Sequence, residues 1–79
     1  MTDEKLLRKK IEESGLKIYF VARKAGLSYQ GLLNKMRNQQ EFRVSEIQGL
    51  ADVLHLDNDE RDRIFFAQNV DNLSTQKEG

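Results

Sequence analysis

Two carboxamide side chains, Gln30 and Asn34, stand four residues apart, the interval that places both on one face of a helix. A carboxamide carries a donor and an acceptor side by side. That is the complement of the N6–H and N7 edge that adenine shows in the major groove of a duplex. Ser28 and Tyr29 come just before them and add two hydroxyls. The Tyr29 hydroxyl suits a phosphate oxygen, and its ring edge suits a thymine methyl. No arginine opens this segment, so the common arginine–guanine contact is not expected at its start.

Other chemistries find little to work with. There is one histidine, His55, and no cysteine, so no metal site is expected and no disulfide or cysteine–zinc staple can form. No glycine-rich phosphate loop and no paired carboxylates on an apolar face are present, so no catalytic residue is named and no enzyme activity is expected. The acidic group Asp57, Asp59, Glu60 and Asp62 lacks the central glycine and terminal bidentate glutamate of a calcium loop, and reads as a capped helix start. No cofactor is expected.

The chain has 79 residues, enough for one domain. Its formal net charge is zero, but the charge is unevenly spread. Residues 1–43 hold ten Lys/Arg against five Asp/Glu, and residues 44–79 hold three against eight, a split of +5 and −5. The basic half is the part suited to phosphate. The acidic start carries no signal or transit pattern, and no apolar run reaches the length of a membrane span. A soluble chain is therefore expected, with the cytoplasm as default.

Helical periodicity dominates, so the expected class is all-α, a compact bundle of about five short helices. The first runs from about Asp3 to Glu13 and ends at Ser14-Gly15. The second spans about Ile18–Ala25, with Ile18, Val21, Ala22 and Ala25 as an inward stripe and Gly26 as its stop. After the turn Gly26-Leu27-Ser28, a third helix capped by Ser28 spans about Tyr29–Arg37, burying Leu32 and Met36 and stopping at Asn38. Residues 38–44 read as a polar loop anchored by Phe42 and Val44. Ser45 with Gln48 is the expected capping box of a fourth helix, whose stripe is Ile47, Leu50, Ala51 and Leu54, with His55 as a stop. Asp57 with Glu60 opens a fifth that supplies Ile64, Phe65 and Phe66. The domain is expected to cover residues 1–70, with 71–79 a flexible polar tail.

The segment Ile18–Arg37, with Val21-Ala22, Gly26-Leu27-Ser28 and Leu32, followed downstream by Leu50-Ala51 and Leu54, resembles the helix-turn-helix domains of the lambda-repressor/Cro (XRE) type. The resemblance covers roughly residues 5–66. The ending Ile64-Phe65-Phe66-Ala67 is similar to small phage or prophage regulators. The resemblance implies a helix-turn-helix at helices two and three and a recognition helix starting near Ser28. Ser28, Tyr29, Gln30 and Asn34 are then the base-contacting candidates. Lys17, Lys35, Arg37, Asn38 and Arg43 are the phosphate-contacting ones. It implies double-stranded DNA as partner, a homodimer completed if need be only on DNA, and transcriptional regulation, most simply repression. A toxin–antitoxin or restriction regulator would share this mechanism.

Two departures from the family pattern stand out. Ile18 occupies the place of a frequent phosphate-binding glutamine, leaving that contact to Lys17. Ile11 and Met36 occupy the places of an ion pair found in many members, and are expected to touch. A protein-interaction module on the same fold, an anti-repressor or adaptor, is the competing expectation. Zero net charge, the missing glutamine and an exposed Leu33 would favour it.

Overall fold

The computed structural model describes residues 1–66, and these form five α-helices and no strand. They are α1 (Glu4–Ser14), α2 (Ile18–Lys24), α3 (Tyr29–Met36), α4 (Val44–Val53) and α5 (Asn58–Phe65). The expected boundary between domain and tail at residue 70 lies outside the described residues.

Three of the helices begin at a side chain that accepts from an orphan N–H of the first turn, whereas α2 starts at Lys17 without one. Asp3 accepts from the Leu6 N–H at 3.0 Å and starts α1. Ser28 accepts from the Gly31 N–H at 3.0 Å and starts α3. Asp57 and Glu60 cap each other reciprocally, at 2.8 and 3.0 Å, and start α5. α4 departs from the Ser45–Gln48 expectation. Its N-cap is Arg43, because the Glu46 carboxylate reaches back to the Arg43 N–H at 2.8 Å. The helix thus starts earlier and turns Val44 outward, 73% exposed, so Val44 is not the expected anchor. Phe42 does anchor the loop, edge-on to Phe65 with ring centroids 5.2 Å apart.

Three helices end in the same way. Gly26, Asn38 and His55 take left-handed φ values of 81°, 64° and 55°. At each, two backbone bonds close the last turn: Gly26 to Arg23 and Leu27 to Ala22, Asn38 to Lys35 and Gln39 to Asn34, His55 to Asp52 and Leu56 to Ala51. All three stops are legible in the sequence. His55 is exposed and bears the cost of a left-handed backbone with a Cβ. His55→Gly is therefore expected to raise stability by about 0.5–1 kcal/mol, the relief being partly offset by the freer unfolded chain. Urea denaturation would check this, and a loss of stability would contradict it.

The core draws Leu7 and Ile11 from α1, Val21, Ala22 and Ala25 from α2, Leu32, Leu33 and Met36 from α3, Ile47, Leu50 and Leu54 at α4, and Ile64 and Phe65 from α5. Ile11 and Met36 thus lie in one cluster. Leu33, expected at the surface, is 8% exposed and belongs to it. Being next to Leu32 and three before Met36, it widens the apolar stripe of α3 to both sides. Ala51 and Ile18 are only partly buried. α2 packs on both α3 and α4. At its crossing with α4, a Cβ on Gly49 would lie 2.9 Å from the Ala25 Cα, so only a residue without a side chain lets the helices meet there.

A short strap closes the bundle. The Asn38 amide accepts from the Thr2 N–H at 2.8 Å and donates to the Thr2 carbonyl at 3.0 Å. The Asp3 N–H donates to the Ile64 carbonyl at 2.6 Å. Residues 2 and 3 thereby join the exit of α3 to the last turn of α5.

Candidate nucleic-acid interface

With Leu32, Leu33 and Met36 turned into the core, α3 presents Tyr29, Gln30 and Asn34 on its other side. Gln30 is exposed and Asn34 partly so, and the Gln30 Nε2 donates to the Asn34 Oδ1 at 3.0 Å. The two amides expected to share a face do share it. Their mutual bond links the two side chains and leaves the Gln30 Oε1, the second Gln30 Nε2 hydrogen and the Asn34 Nδ2 hydrogens without a partner among the described residues. Tyr29 is half exposed. Ser28 is exposed, but its oxygen already holds the Gly31 N–H, so capping is its established role and only its remaining hydrogen-bonding capacity is open to a ligand.

The expected phosphate-contacting residues divide. Lys17, the N-cap of α2, Arg37, the C-cap of α3, and Arg43, the N-cap of α4, are exposed. None has an ion-pair partner among the described residues. Asn38 is different, because its amide is engaged on both sides by Thr2. Lys35 is different too. Its ammonium lies 2.7 Å from the Glu46 carboxylate, with both side chains only 11% exposed. Lys35 is a buried strut between α3 and α4, because its position on the last turn of α3 faces the first turn of α4.

Two further cations were not among the expected ones. Arg23 and Lys24 lie in the last turn of α2, exposed and without a carboxylate partner among the described residues. Lys24 sits over the Phe20 ring, 5.3 Å from its centroid. Tyr19 is 53% and Phe20 37% exposed. The signal for all four is the inward stripe of α2 itself: a helix burying positions 21, 22 and 25 must turn 19, 20, 23 and 24 outward. Residues 16–45 contain six Lys/Arg against one Asp/Glu, a net of +5, so the basic character belongs to α2, α3 and the loop after them.

Some of the charges elsewhere are partnered. Lys10 bonds Glu60 across α1 and α5. That bond raises the Lys10 pKa above its ordinary value. The Lys10 bond and the Asp57 N–H together lower that of Glu60. Glu46 is subject to opposed effects. Burial pushes its pKa up, but the Arg43 N–H and the Lys35 ammonium bring it below the ordinary value on balance. A carboxylate whose pKa is depressed on folding contributes stability that is present above its unfolded value and lost as pH falls through the folded one. Stability is therefore expected to fall with acid from about pH 4.5 downward, reading the unfolded Glu as ~4.3. Glu46→Gln should flatten that fall, measured as urea midpoints between pH 7 and pH 3. An unchanged slope would remove Glu46 from the acid response.

Among the described residues no three His, Cys, Asp or Glu side chains gather as a metal set, and no helix is long and apolar enough to cross a membrane. Comparison with family models, with curated proteins and with solved structures gives no match.

Proposed function

We propose that the chain is a sequence-specific double-stranded DNA-binding regulator of the lambda-repressor-like type, acting by binding and not by catalysis. In this reading α2, the turn at Gly26 and α3 form its helix-turn-helix, and α3 enters the major groove. The observation that carries it is the Gln30–Asn34 pair, bonded at 3.0 Å on the outward face of α3. Cations with no carboxylate partner among the described residues flank that pair: Lys17, Arg23 and Lys24 on the α2 side, Arg37 and Arg43 after α3. Amides read base edges and cations hold phosphates, so the two sets supply specificity and affinity separately. Two-fold pairing on a palindromic site would supply the bases that one small domain cannot reach. Phe66, 41% exposed, is the candidate contact for such a second copy, and borders with Met1, Glu41 and Phe42 a cavity of about 260 Å³ of mixed polar and apolar lining.

The protein-interaction module loses one support, since Leu33 is buried. It gains another in Leu16, Tyr19 and Phe20, which are exposed around the start of α2. Salt separates the two. DNA binding weakens steeply through counterion release, whereas an apolar contact hardly responds. The test is a titration against a pool of random duplexes at low and moderate salt, with sequencing of the bound fraction. Enrichment of a two-fold-symmetric site supports the regulator. No binding even at low salt overturns it in favour of the module.

A further inference from the structure

Glu46 Oε1 is the meeting point of three segments. It accepts from the Lys35 ammonium at 2.7 Å and from the Arg43 backbone N–H at 2.8 Å. Lys35 belongs to the last turn of α3, Arg43 closes the loop 37–43, and Glu46 sits in the first turn of α4. One buried carboxylate oxygen thus fixes both ends of that loop.

Other bonds hold its middle. Asn38 is clamped on Thr2, the Gln39 N–H bonds the Asn34 carbonyl at 2.9 Å, and Phe42 packs edge-on to Phe65. A loop whose residues 37–41 and 43 are all exposed would ordinarily be mobile. Here it is tied at residues 38, 39, 42 and 43, through the side chains of Asn38 and Phe42 and the backbone N–H groups of Gln39 and Arg43. Arg37 and Arg43, the cations it carries, are each adjacent to a tied residue, whereas the base-facing Gln30 and Asn34 sit on the helix to which Lys35 belongs.

We propose that Lys35 and Glu46 are positioning residues, whose buried pair sets the spacing between the amides of α3 and the loop cations Arg37 and Arg43, so that base and phosphate are met in one register. The inference rests on the DNA-binding reading. Lys35 itself touches no ligand in this scheme, and its charge is neutralised where it stands. A strut of this kind costs desolvation on both sides and is weak support for stability. Its use lies in direction, because a cation fixed in advance loses less freedom on binding.

The double variant Lys35→Met/Glu46→Gln tests this. It removes both charges together, and the glutamine carbonyl can still accept from the Arg43 N–H. Replacing both members of a buried pair is commonly tolerated, so the variant is expected to fold. Two measurements are made on it. In the first, amide hydrogen exchange should accelerate tenfold or more at residues 37–43 and remain unchanged in α1. In the second, affinity for the duplex selected from the random pool should fall tenfold or more, with a salt slope shallower by about one to two, the share of one or two phosphate contacts. Unchanged exchange in the loop overturns the strut. Faster exchange with unchanged affinity and slope overturns its role in register. If the parent chain selects no duplex, the DNA-binding reading has failed and the register claim fails with it, while exchange still decides whether the strut exists. Should the double variant unfold, Lys35→Arg, which keeps the charge pair, is measured instead. Native-like exchange and affinity in that variant support the proposal, and a loss in either overturns it.

Discussion

Gly49→Val is expected to lower the stability of the fold by about 3 kcal/mol, near the upper end of what overpacking a core costs. At this crossing of α2 and α4 an added Cβ would meet the Ala25 Cα at 2.9 Å, and the Ala25 Cβ and Lys24 carbonyl each at 3.4 Å. Two of those three atoms are backbone, so no rotamer change clears the way and the helices must part. Alanine would meet the same atoms but gain up to about 1 kcal/mol of helix propensity, so Gly49→Ala should be milder. Valine adds two methyls and stiffens χ1, with no such compensation. Gly31 provides the contrast. There an added Cβ comes within 3.0 Å of the Ser28 Oγ, a side-chain atom that can yield. Equal stability of Gly49→Val and the parent in urea would contradict the close crossing. Because α2 also packs on α3, forcing α2 off α4 is expected to disturb the outward face of α3 as well.

Gln30→Ala and Asn34→Ala are each expected to cost about 1–3 kcal/mol of affinity on the selected duplex, roughly fivefold to more than a hundredfold, and to relax the preference at the bases they face. Their bond to each other adds a second expectation. Each single variant removes a direct contact and also frees the neighbour that the lost amide was holding. The double variant should therefore lose less than the sum of the singles, the mark of residues acting as a unit. Lys17→Ala should behave differently, weakening every duplex alike and reducing the salt slope by about 0.9. A titration of these variants on selected and scrambled duplexes decides the matter. If both amide variants bind every sequence as the parent does, α3 does not read bases with this face.

Signals confined to one turn of helix were legible in the sequence. Ser28 as cap, Asp57 with Glu60, and the stops at Gly26, Asn38 and His55 each depend on residues within a few positions of one another. The shared face of Gln30 and Asn34 is likewise a matter of helical spacing. Where two local signals competed, the sequence misled. Ser45 with Gln48 is a plausible capping box, but Glu46 could reach the Arg43 N–H and the helix began there instead. Lys35 and Glu46 are eleven residues apart with a turn between them. Alone, each has the look of a solvated surface charge, and only the packing of α3 and α4 on the same helix, α2, brings them together. Leu33 failed for a similar reason. It was expected at the surface, and its burial depends on neighbours from other helices. Arg23, Lys24, Tyr19 and Phe20 were legible as the outward complement of the inward stripe of α2.

The strap at residues 2 and 3 has a kinetic consequence. Most of the helix caps close over three to five residues, whereas the Thr2–Asn38 and Asp3–Ile64 bonds close loops of 36 and 61 residues. Loop closure costs entropy that grows with length, so local turns gain their bonds early and a far closure gains its own late. Interactions absent from the folding transition state govern the rate of escape from the native state and leave the rate of arrival nearly untouched. The strap is therefore expected to act as a latch, with little part in how quickly the bundle assembles and a larger part in how long it stays assembled.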